Sequence, residues 1–137
     1  MVELHFNYLL VLGTSGTGKT TLAKTIVKQL KDEGCKAITF DPNRQWSDIS
    51  DEEIGPEELA YGLTRIAKPL LYEKKTGVLI VEDLGFTLQQ IQAALKVSLA
   101  KAKNMLRIVL ENARKYGLRV ILVSHRLAIT ILVKLTL

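Results

Sequence analysis

One cysteine in the whole chain, Cys35, rules out an intramolecular disulfide and a cysteine-based zinc cluster. It fits a reducing, cytoplasmic setting, and Cys35 itself reads as a small buried hydrophobe entering a strand. Apolar runs are short. None approaches the ~20 residues that cross a bilayer, so no membrane span is expected. At Met1–Asn7 no basic segment precedes an apolar one, which argues against a secretory signal. Internal repeats, low-complexity tracts, long linkers and a polybasic tail are all missing. So is an Asn-Lys-x-Asp segment, the usual reader of guanine. An arginine cluster of the kind that builds a kinase lid is not seen either.

What is present suits one α/β domain spanning residues 1–137. Hydrophobic residues make up 47% of the chain, and mean hydropathy is +0.15. Such a composition fits a parallel sheet buried on both faces. Net charge is +5. The basic excess is spread over Lys24, Lys28, Lys31, Lys36, Lys96, Lys101, Lys103 and Lys115. It is compatible with a nucleic-acid partner and equally with solvated helix faces.

Patterning alternates strand and helix. Tyr8–Leu12 reads as a buried strand, followed by a helix to about Glu33 with Leu22, Ile26 and Leu30 four apart. Gly34 is placed to end it in a left-handed conformation. A second strand, Ala37–Phe40, leads to Asp41-Pro42-Asn43. Residues 43–58 are polar and acidic and read as irregular. Pro56 opens a helix carrying Leu59, Leu63, Ile66 and Leu70, with Pro69 ending or kinking it. Thr76-Gly77 turns into the strand Val78–Val81. One long helix is predicted over 87–116, with an apolar stripe from Leu88 to Ala113. The stripe suits packing on the sheet, or contact of a protruding helix with another subunit. Gly117 ends that helix, Val120–Val123 is the fourth strand, and Ile129–Leu137 can supply a fifth.

Between the first strand and the first helix lies Gly13-Thr14-Ser15-Gly16-Thr17-Gly18-Lys19-Thr20, a complete phosphate-binding loop. Its glycines let backbone N–H groups turn inward on phosphate oxygens. Lys19 can reach the β- and γ-phosphates, and the Thr20 hydroxyl can hold Mg²⁺. Thr21 continues the site into the helix, whose positive end faces the same anion. Val78–Val81 ends in Glu82-Asp83. Phosphate-loop enzymes place a carboxylate at such a strand tip to hold Mg²⁺, and hydrolases need a second group to orient or deprotonate water. Glu82 is therefore assigned to the metal and Asp83 to the water. Ser124 and His125 follow the fourth strand, at the sheet end where ligands bind. Either can donate to a γ-phosphate or to the attacking water. His5 carries no motif.

Four segments, in order, resemble the HerA–FtsK group of phosphate-loop ATPases, which includes DNA translocases and viral genome-packaging motors. They are Gly13–Thr20, Asp41–Trp46, Val78–Asp83, and Ala113–Gly117 leading into Val120–Arg126. The resemblance implies a P-loop NTPase fold with a mostly parallel, RecA-like sheet in the order 5-1-4-3-2, the Ser124 strand lying between those of the phosphate loop and Glu82. It implies ATP and Mg²⁺ as cofactors and double-stranded DNA as partner. It further implies a homo-oligomeric ring, usually hexameric, with ATP between subunits and an arginine supplied in trans. Arg114 and Arg126 are the candidates for that arginine. Two departures stand out. The group usually shows Asp then Glu where this chain has Glu82 then Asp83, and Gln where it has His125.

Motor-type ATP hydrolysis is thus the leading expectation. A small-molecule or nucleotide kinase is the second, with residues 43–72 as the segment that can form an acceptor site. A nucleotide-gated assembly protein with weak hydrolysis is the third.

Overall fold

The computed structural model describes residues 8–12, 18–61 and 63–124. Within them the chain runs β1 (Tyr8–Leu12), α1 (Lys19–Asp32), β2 (Lys36–Phe40), β3 (Glu52–Glu53), α2 (Pro56–Tyr61), α3 (Leu63–Tyr72), β4 (Gly77–Glu82), α4 (Leu84–Leu95), α5 (Leu99–Lys115) and β5 (Leu118–Ser124).

All pairings in the sheet are parallel, and the order is β1-β5-β4-β2-β3. β5 lies between β1 and β4, as expected for the strand that ends in Ser124. The order differs from the expected one at its edges. The two-residue β3 is added beyond β2, whereas the fifth strand expected at 129–137 lies outside the described residues. Buried parallel strands read as continuous apolar runs, and every residue of β4 is buried.

Alternation along the strands divides the core. Ile38, Phe40, Leu79, Val81, Val120 and Leu122 face α2–α5 on one side of the sheet. Ala37, Val78, Ile80, Ile121 and Val123 face α1 and Trp46 on the other. In α1 the buried stripe is Ala23, Val27 and Leu30. Leu22, expected in that stripe, is instead 55% exposed. Gly34 and Gly117 have φ of 93° and 74°, so both helices end in left-handed turns, the conformation expected at Gly34. Pro56 does open a helix, but of the expected apolar positions it carries only Leu59; Leu63, Ile66 and Leu70 lie on the separate helix α3. Pro69 does not end one, because α3 runs on to Tyr72.

The expectations for the later part of the chain and for the segment after β2 need qualifying. The long helix over 87–116 is two helices, α4 and α5. Lys96 turns left-handed with φ 54°, and the Ser98 hydroxyl caps α5 by accepting from Lys101 N at 3.2 Å. Its apolar stripe is core except at the break: Leu88, Ile91, Ala102, Leu106, Val109 and Ala113 are buried, whereas Leu95 is partly buried and Leu99 exposed. The stretch 43–58 is irregular, as expected, up to the two-residue β3 and the start of α2, but it is pinned to the edge of β2. Asp51 N donates to Ala37 O at 2.9 Å, Asp51 Oδ2 accepts from Ala37 N at 2.7 Å, and Ile54 N donates to Thr39 O at 2.9 Å. Its apolar residues Trp46, Ile49 and Ile54 are buried. Tertiary pairing, not local propensity, shapes it.

Candidate active site

Parallel strands point their carboxyl ends the same way, so β1, β5 and β4 bring three motifs to one edge. The register places Leu12, the residue before the phosphate loop, opposite Ser124, and Glu82 opposite Val123. Residues 13–17, His125 and Arg126 lie outside the described residues. Gly18, Lys19 and Thr20 are described. Gly18 is the N-cap of α1 in a left-handed conformation, and Lys19 is the helix's first residue. Lys19 and Thr20 thus stand at the positive end of a 14-residue helix.

The Thr20 hydroxyl donates to Glu82 Oε1 at 2.9 Å. Gln45 Oε1 lies 3.5 Å from the same hydroxyl, too far to compete for its single proton. The other oxygen, Glu82 Oε2, accepts from the indole Nε1 of Trp46 at 2.8 Å. Both atoms of the carboxylate are therefore held, and the residue is buried. That burial pushes its carboxyl above the ordinary carboxylate range. The bonds from Trp46 and Thr20 oppose the shift, the nearby Asp41 carboxylate adds to it, and Lys19 opposes it. A hydroxyl and a carboxylate oxygen at this separation make a hard, all-oxygen donor pair of the kind Mg²⁺ takes beside substrate phosphates. No cluster of three or more His, Cys, Asp or Glu side chains suited to a metal occurs among the described residues. A metal here would need oxygens from the nucleotide.

Asp83 behaves differently from its neighbour. It has φ 57° and caps α4, its Oδ1 accepting from Phe86 N at 3.1 Å. Its own N–H donates to Val123 O at 2.6 Å, which ties the tip of β4 to β5. Ser124 is buried at the tip of β5, and its hydroxyl has no hydrogen-bond partner among the described residues. Thr21 lies exposed in the first turn of α1. Arg114 is exposed in the last turn of α5, which precedes the opposite end of β5, so it is not gathered into this edge.

Sequence reasoning gave Trp46 and Asp41 no role of their own. Trp46 is fully buried, its backbone N donates to Asp41 Oδ2 at 2.9 Å, and Lys24 Nζ sits 6.0 Å from its ring centroid. The signals available were the place of both residues in the Asp41–Trp46 segment of the family resemblance and a lone tryptophan in an otherwise polar stretch.

A parallel sheet in this order, with Lys19 and Thr20 after β1 and Glu82 at the tip of the strand two places away, defines a P-loop nucleotide-binding protein. Comparison with known proteins narrows the class. The chain belongs to the family of the helicase HerA central domain, whose profile matches residues 1–119, and members of this family are P-loop ATPases. Among solved structures it is similar to the conjugation coupling protein TcpA of pCW3, solved as a monomer with ATPγS. The TM-score is 0.52 at 14% identity, over 87% of this chain and 42% of that one. This is a likeness of fold. Among curated proteins, the signal recognition particle receptor FtsY of Metamycoplasma hominis is 33% identical over 99 residues, which is 59% of this chain and 27% of that protein. The chain thus spans well under half the length of either relative. No helix among the described residues is long and apolar enough to cross a membrane.

Proposed function

We propose that this chain binds ATP with Mg²⁺ at the β1–α1 junction and hydrolyses it to drive movement of double-stranded DNA. The observation that carries the reading is the 2.9 Å contact between Thr20 and Glu82. It joins the end of the phosphate loop to the acid that such ATPases place at a strand tip. The backbone of Gly13–Gly18 with Thr21 cradles the phosphates, and Lys19 neutralises the β- and γ-oxygens. Thr20 and Glu82 would hold the metal. Bound Mg²⁺ would offset the negative charge that develops on the phosphates during transfer. Asp83 orients water for attack on the γ-phosphorus and takes up its proton as ADP leaves. Ser124 and His125 donate to the γ-phosphate or to the water. Arg114 or Arg126 of another copy completes the site in a homo-oligomeric ring such as a hexamer.

ATP rather than another nucleotide is supported by the family and by the ATPγS bound to TcpA. DNA is supported by the family's helicase description and by the net charge of +5. A free, buried Cys35 fits a cytoplasmic setting. The test is the ATPase rate with and without double-stranded DNA across protein concentration, with Lys19→Ala as control. Stimulation by DNA with a cooperative concentration dependence supports the ring motor. A Lys19→Ala rate equal to wild type sinks the assignment.

A second reading, phosphoryl transfer to a small acceptor, draws on one feature. A cavity of about 420 Å³ adjoins Asp41 and is lined also by Phe40, Arg44, Ile54 and Gln90. Transfer to a small hydroxyl compound that exceeds transfer to water would favour it.

A further inference from the structure

A carboxylate at a strand tip turns about its own side-chain bonds unless something holds it. At Glu82 the holder comes from far away in the sequence. The Trp46 indole N–H meets Oε2 at 2.8 Å, while Oε1 faces Thr20. The indole is itself fixed. Its residue is fully buried, its backbone N–H is bonded to Asp41, and the segment behind it is tied to β2 through Asp51 and Ile54. Indole nitrogen can only donate, so this bond always presents a proton to the acid. Filling the core beneath α1 would need only the apolar body of the ring, which packs with Val27, Leu30 and Ile80 in the same cluster. It would not need the N–H aimed at a carboxylate.

We propose that Trp46 is a positioning residue for Glu82. Its N–H fixes one carboxylate oxygen and so orients the other toward Thr20 and the metal that the pair would hold. The inference rests on the reading of Glu82 as the Mg²⁺ acid. Partners of metal ligands in this position typically change metal affinity by ~10–100-fold when removed. Because Mg²⁺ here would also be held by phosphates, the lower end applies.

The test is a Mg²⁺ titration of nucleotide binding, followed with a fluorescent ATP analogue, for wild type, Trp46→Phe, Glu82→Gln and the double variant. Phenylalanine keeps most of the apolar bulk and removes the donor. Trp46→Phe should raise the Mg²⁺ midpoint about tenfold and leave metal-free nucleotide binding unchanged. In the Glu82→Gln background it should add nothing, since a residue acting only through Glu82 has no effect once that acid is gone. Additive effects would mean a merely structural role and overturn the proposal. A wild-type midpoint in Trp46→Phe, with a shifted one in Glu82→Gln, overturns it and leaves the metal reading standing. A wild-type midpoint in Glu82→Gln overturns the metal reading itself. Should Trp46→Phe fail to fold, the wild-type protein still decides the matter, because Trp46 is the chain's one tryptophan. Its emission should change when Mg²⁺ is added to the nucleotide-bound protein but not in Glu82→Gln. An unchanged emission in wild type overturns the proposal.

Discussion

Thr20 Oγ1 and Glu82 Oε1 meet at 2.9 Å although 62 residues separate them in the chain. Asp83, the next residue, turns away and caps α4 through Phe86 N. Two adjacent acids are therefore given different surroundings by one left-handed backbone step at Asp83. A division of labour between them follows from that step.

Exchange of each acid for its amide should separate the two roles. Glu82→Gln is expected to weaken Mg²⁺-dependent nucleotide binding, with little change in binding without metal. Asp83→Asn keeps a capping oxygen for Phe86, so the fold and nucleotide binding should persist. Turnover should fall by about 10²-fold or more, the usual weight of a positioned proton acceptor. Binding titrations beside steady-state rates check both. The reverse pattern would assign the metal to Asp83.

The pH dependence of stability offers an independent test of the buried acid. Burial holds the Glu82 carboxyl above its ordinary range. The folded protein then keeps this proton over an interval in which the unfolded chain has already released it. Metal-free stability should therefore fall as pH rises from the ordinary glutamate value through the raised one. Glu82→Gln removes the ionisation and should flatten that part of the profile. The variant should also be at least as stable as wild type at neutral pH without Mg²⁺. Thermal midpoints across pH in a chelating buffer measure this, and parallel profiles would place the titration on another group.

Much of this arrangement is legible in the sequence, and the reasons for the remainder are physical. Apolar runs at Tyr8–Leu12, Val78–Val81 and Val120–Val123, with the Gly13–Thr20 motif, suffice to place Thr20 and Glu82 at one sheet edge. Trp46 and Asp41 are another matter. Their segment has no periodicity, and its conformation comes from bonds to β2 and from a contact to Glu82 across 36 residues. The break between α4 and α5 was hidden for a different reason. Apolar spacing of three and four continues through it, while the features that make it are a left-handed Lys96 and the Ser98 cap. Lysine carries no strong preference for that conformation.

At the start of β4, Gly77 is packed so closely that a methyl group should be costly. A Cβ there would lie 2.7 Å from Leu118 Cδ2 and 2.8 Å from Leu70 Cδ1, both buried side chains. Gly77→Ala is expected to destabilise the fold by about 1–3 kcal/mol, the usual range for overpacking. Adding Leu118→Val should recover part of the loss by withdrawing one of the clashing groups. Urea unfolding midpoints would show it, and an unchanged midpoint for Gly77→Ala would mean that both leucines yield freely.

Ser124 sets stability against function. Its hydroxyl is buried at the tip of β5, between the strands that carry Leu12 and Glu82, and is unpaired among the described residues. A buried polar atom without a partner costs free energy that a hydrogen bond would offset. In the nucleotide-free protein, Ser124→Ala should therefore be neutral or stabilising, by up to about 1 kcal/mol. If the hydroxyl is kept to donate to a γ-phosphate or its attacking water, the same variant should lose turnover by about tenfold, roughly the 1.4 kcal/mol of one hydrogen bond to a charged group. ADP, which lacks that phosphate, should bind as before. Unfolding curves, ATPase rates and ADP affinity for this single variant discriminate the cases. Lower stability together with unchanged turnover would make Ser124 a structural hydroxyl and remove it from the active site.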